Sequence, residues 1–86
     1  MNTPTMRAKM KVESVKRQGE KDWPQEVVKL NAVCRSTAYP ADGGDEDNTF
    51  AKFSPQAALE ITIANPALHG KINPGDVFYV DFTKVE

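Results

Sequence analysis

A chain of 86 residues has room for one modest core, and at that size only about 60–65% of the unfolded surface is buried on folding. Its 40% hydrophobic and 27% charged residues, with a net charge of −1, are the composition of a small folded domain. No apolar run comes near the roughly 18 residues of a membrane span, and the first six residues lack the apolar stretch of a signal peptide. The single cysteine excludes an internal disulfide, and with one histidine it leaves no zinc cluster.

Residues 1–5 are expected to be a flexible N-terminus, and 6–86 one β domain. From Met6 to Val15, Met6, Ala8, Met10 and Val12 alternate with Arg7, Lys9, Lys11 and Glu13, the period of a half-buried strand. Lys16 to Gln25 is charged and contains Gly19 and Trp23-Pro24, which predicts a turn with Trp23 over one end of the core or exposed. Glu26 to Arg35 predicts a second strand, with Val28, Leu30, Ala32 and Cys34 inward.

The pattern then stops. Ser36 to Asn48 is a polar, acidic, glycine-containing loop, long for so small a domain. Thr49–Phe53 predicts a short strand, and Ser54-Pro55-Gln56 a turn or the cap of one helical turn. Leu59, Ile61 and Ile63 alternate with Glu60 and Thr62, the clearest strand in the chain. Ala67 to Lys71 reads as a connector of one helical turn, and Asn73-Pro74-Gly75-Asp76 as a type II turn. Val77 to Thr83 predicts the last strand. Five strands with no sustained helical period predict a mainly all-β fold, a small antiparallel barrel or sandwich of five to six strands.

Catalysis needs an activated group and a partner to orient it. His69 lies in a connector without an acidic neighbour, Cys34 reads as a small apolar filler, and Ser14, Ser36 and Ser54 lack a nucleophile elbow. These residues give a non-enzyme with no catalytic residue and no cofactor. Asp42, Asp45, Glu46, Asp47 and Asn48 are hard oxygen ligands, but their spacing is not that of an EF-hand, so no metal is assigned. The loop is read as solvated or, with Tyr39, as a partner contact.

Residues 1–35 hold eight Lys/Arg against four Asp/Glu, a balance of +4; residues 36–86 hold three against eight, a balance of −5. Such polarity steers association or favours contacts between copies, unless strand pairing mixes the halves. Arg7, Lys9 and Lys11 are the basic face of the first strand, and with exposed aromatics they would suit an OB-like single-stranded nucleic-acid binder. Against that stand the negative net charge and the acidic loop, and a domain this small calls for its aromatics in the core.

Lys29-Leu30-Asn31-Ala32-Val33, Asp47 to Pro55, Ile61 to Pro66 and Pro74 to Phe82 resemble, in that order, a largely uncharacterised group of short proteins encoded by tailed bacteriophages. The likeness is one of overall pattern from Met6 onward, and it carries no functional residues over. It implies a viral product in the host cytoplasm or the virion. The function expected is a non-enzymatic protein-binding module, either a virion accessory or decoration protein or an effector binding a host protein. Its partner is another phage or host protein, or a second copy, with no membrane involved. Tyr39, Asp42, Asp45, Glu46, Asp47, Arg7, Lys9 and Lys11 are the expected contact residues. The alternative is a nucleic-acid-binding accessory protein.

Overall fold

Alternation along the first strand sets the architecture. The computed structural model describes residues 3–85, so the N-terminal segment expected to be flexible falls partly outside the described residues, at 1 and 2. Among the described residues four strands form one antiparallel sheet: β1 (Met6–Glu20), β2 (Trp23–Ala32), β3 (Ala58–Ile63) and β4 (Val77–Phe82), in the order β3-β2-β1-β4. The fold is all-β, and a 3-10 turn at Pro66–Leu68, capped by Asn65, is the one helical element among the described residues.

The sheet is open, and the expected barrel or sandwich of five to six strands is not what the structure has. The missing strand is Thr49–Phe53. Thr49 does lie beside β1, with its N–H donating to the Arg7 carbonyl at 2.9 Å and its Oγ1 accepting from the Arg7 N–H at 2.7 Å. The chain then turns, Ala51 N–H donating to the Asn48 carbonyl, and Phe53 takes a left-handed φ of 61° that no strand continues. The Phe53 ring lies on Gly43, whose own φ is +74°; a Cβ there would come within 2.4 Å of the ring.

Other boundaries also move. Lys16–Gln25 is not a long turn: both strands run through it, and Lys21-Asp22 alone close the hairpin. β2 ends at Ala32, so Cys34 lies beyond it and is exposed, which corrects its reading as core filler. Ser54–Gln56 caps no helix. The type II turn forms as expected, with Asp76 N–H donating to the Asn73 carbonyl at 3.0 Å and Gly75 at φ +95°.

The core is aliphatic: Ala8, Met10, Val12, Val28, Leu30 and Ile63 are buried on one face of the sheet. A bulge between Val12 and Ser14 inserts Glu13, which shifts the phase and returns Val15 to that same face. Phe50, Ala57 and Ile72 cover the core from the loop before β3 and from the crossover between β3 and β4. None of the seven aromatics is buried, contrary to the expectation that they fill the core. A narrow layer built on Ala8 and valines offers no depth for rings.

Beyond Val15 and Glu26 the hairpin leaves the core as a two-stranded ribbon, and Trp23 at its tip is 76% exposed. At its root, buried Glu26 faces Arg17 at 3.7 Å and accepts from the Gly70 N–H, pinning the crossover to β2. His69, half-buried, places Nε2 2.9 Å from the Ile63 carbonyl, so it ties the same crossover to the end of β3.

Asn48, fully buried, closes the side of β1 where β2 has ended. Its Oδ1 accepts from the Lys9 N–H at 2.8 Å, and its Nδ2 donates to the Val33 carbonyl at 2.8 Å and to Asp45 Oδ2 at 3.1 Å. Asn48→Ala leaves these groups without partners, and we expect a loss of about 2–3 kcal/mol in urea unfolding with the denaturant slope unchanged.

Candidate functional site

The solvent face of β1 gathers residues from three parts of the chain. Strand pairing sets Arg7 opposite Asp81 and Lys9 opposite Tyr79. Arg7 grips Asp81 with two hydrogen bonds, Nε to Oδ1 at 2.7 Å and an Nη to Oδ2 at 3.0 Å, and its guanidinium lies 4.3 Å from the centre of the Tyr79 ring. The loop adds Asp47, which accepts from the Tyr79 hydroxyl at 2.7 Å and stands 3.5 Å from Lys9 Nζ. Two of the three cations of the basic strand are therefore paired within the molecule. Lys11 is exposed and has no ion pair among the described residues.

The acidic loop is ordered, and its residues divide. Asp45 is buried: its Oδ1 accepts from the N–H groups of Asp47 and Asn48, and its Oδ2 from the Asn48 side chain. Burial pushes the Asp45 carboxyl up, but the hydrogen bonds from Asn48 and the Asp47 N–H, with the charge of Arg35, outweigh it and hold the group below its ordinary value. Tyr39, half-buried, points its hydroxyl at Asp45 from 3.5 Å and lies against Phe53 with ring centres 5.9 Å apart. Asp42 and Glu46 are exposed; Asp42 holds the Gly44 N–H, and Glu46 pairs with Arg35 at 3.2 Å. Among the described residues no group of three or more His, Cys, Asp or Glu could hold a metal ion, and no helix is long and apolar enough to cross a membrane.

The structure thus brings Arg7, Lys9 and Asp47 together, sets Asp45 and Tyr39 behind them and Glu46 beside Arg7 and Asp81, and leaves Asp42 and Lys11 apart on the surface. Sequence reading missed the other face. Phe78, Phe82 and Ile61 point to the core side but are 38%, 45% and 48% exposed, because the covering loops reach only the centre of the sheet. Between the flanks, Met6, Ala8, Phe50, Leu59 and Phe82 line an apolar cleft of about 160 Å³. The signal was present in the alternation of β3 and β4; what it lacked was any sign of how little chain lies over them.

Comparison with protein-family models, curated proteins and solved structures found no match for this chain.

The Asp81 carboxyl is likewise held low, by its hydrogen bonds from Arg7, although desolvation opposes this. A carboxylate whose pKa is lower in the folded than in the unfolded chain contributes stability above its unfolded value, near 4, and loses it as pH falls through the folded one. Unfolding midpoints should therefore hold steady above about pH 5 and drop steeply below about pH 4. Asp45→Asn should be less stable at neutral pH and show a shallower acid decline, read by thermal unfolding at stepped pH.

Proposed function

We propose that this chain is a non-enzymatic protein-binding module of the bacteriophage type, a virion accessory or an effector that meets another protein across the uncovered apolar face of its sheet. The observation that carries the reading is the surface left open. The accessible area is 6335 Å², whereas a folded monomer of 9.5 kDa exposes about 5,000 Å². The radius of gyration, 15.3 Å, likewise exceeds the roughly 12 Å of a compact chain of this length. The ribbon accounts for part of the excess; Met6, Ile61, Phe78 and Phe82 account for another part.

A sheet covered only along its centre calls for a second layer, and in this reading the partner supplies it, completing the sandwich that the strand pattern suggests. Nucleic-acid binding has less support, because Arg7 and Lys9 are engaged with Asp81 and Asp47. In this reading the protein works in the host cytoplasm or on the particle.

The test is affinity purification of the tagged chain from infected cells, with and without nuclease, alongside analysis of purified particles. A protein partner that resists nuclease and is lost with Met6→Glu is the expected result. Recovery of nucleic acid alone, abolished by digestion, would count against the reading.

A further inference from the structure

We propose that two copies of this chain pair along β4, antiparallel about a two-fold axis at Val80, to form one continuous eight-stranded sheet. The inference goes beyond the protein-binding reading, since pairing at an edge adds no second layer over the sheet, and it shares with that reading only a protein as partner. It starts from the hydrogen bonds of β1. Lys9 directs its N–H to Asn48 and its carbonyl to Val33, and Arg7 directs both groups to Thr49, all on the β2 side. Even-numbered residues of β1 therefore face β4, as Val12 does in bonding Asp76 and Gly75. By the register, Phe78, Val80 and Phe82 bond to β1, and the N–H and C=O groups of Val77, Tyr79 and Asp81 line the outer edge.

That edge is complementary to itself. Opposed residues of an antiparallel pair share a face, so a two-fold axis at Val80 sets Phe78 opposite Phe82 of the other copy, twice, with the two Val80 side chains between them. The exposed phenylalanines of each chain then pack on those of its mate along the core face. On the solvent face Tyr79 stands opposite Asp81 of the other copy, in the hydrogen-bonded position, and no like charges are directly opposed. The apolar side chains this pairing covers are exposed in the single chain, Phe78 at 38% and Phe82 at 45%.

The β3 edge is the weaker candidate. A two-fold axis at Ile61 would oppose Leu59 to Ile63, which are already half-buried and buried, and would cover Ile61 alone among the exposed apolar residues of that strand. An axis at Glu60 would oppose two carboxylates.

Sedimentation equilibrium of the full chain tests the pairing. The wild type should approach twice its 9.5 kDa as concentration rises. F78K and F82E should each weaken self-association by about tenfold or more. The double variant F78K/F82E should recover it, because the register sets each introduced ammonium opposite an introduced carboxylate, and I61K should leave it unchanged. Amide exchange on the concentrated wild type should show Tyr79 and Asp81 protected although their N–H groups face away from β1. A wild type that stays at 9.5 kDa, rapid exchange at Tyr79 and Asp81, or dissociation by I61K alone would overturn the proposal. A monomer that still retains a nuclease-resistant partner would overturn the pairing and leave the protein-binding reading intact.

Discussion

The hydrogen bonds of Asn48 are the constraint on which the rest of the structure depends. β1 is longer than the strand beside it, so near Lys9 its backbone would face solvent on one side and an apolar layer on the other. An unpaired backbone group in that position costs about 1–3 kcal/mol. A side-chain amide carries both a donor and an acceptor and can stand in for a stretch of strand, which a carboxylate or a hydroxyl of the same reach does less completely. Asn48 does this from the middle of a loop, and Asp45 holds it in place. Once that point is anchored, Asp47 is delivered to Lys9 and Tyr79 on the solvent face and Phe50 to the apolar face. Electrostatics and core packing thus share one anchor.

This explains why the loop was opaque to sequence reading while the strands were not. Periodicity reports what a strand buries, and Met6–Val12 and Leu59–Ile63 display it openly. The Tyr39–Asn48 segment has no period, and by composition it is a solvated acidic loop. Its order comes from a local turn, in which the Asp45 carboxylate receives N–H groups two and three residues on, and from contacts with strand residues distant in the chain. The bulge at Glu13 was visible only as Val15 falling out of phase. The ribbon was hidden because Lys16–Gln25 has the composition of a turn, although ladder bonds alone can hold polar residues in strands.

The candidate contact residues were legible as chemical types but not as relationships. Arg7, Lys9 and Asp47 were each picked out by charge, in separate segments of opposite sign. The fold brings them together and so cancels part of the bipolar field that the two halves of the chain display. The apolar flanks went unnoticed for the converse reason, since alternation says which way a side chain points and nothing about what lies above it. In so short a chain the covering layer consists of a few loop residues, and the sheet is wider than they are.

The strand order also has a consequence for how the protein is made. β1 lies in the interior of the sheet, yet its two neighbours are synthesised far apart: β2 follows after a two-residue turn, whereas Arg7 meets Asp81 across 74 residues. On the ribosome the β1–β2 hairpin can close early, and β3 can add to its outer side, while the other margin of β1 waits for the last strand. Through that interval a nascent chain carries an interior strand as a temporary edge, flanked by Met6, Ala8 and Met10. Lys9 and Arg7 alternate with those residues and supply charge along the waiting margin, as gatekeepers do on strands liable to pair wrongly. The same two cations later pair with Asp81 and Asp47.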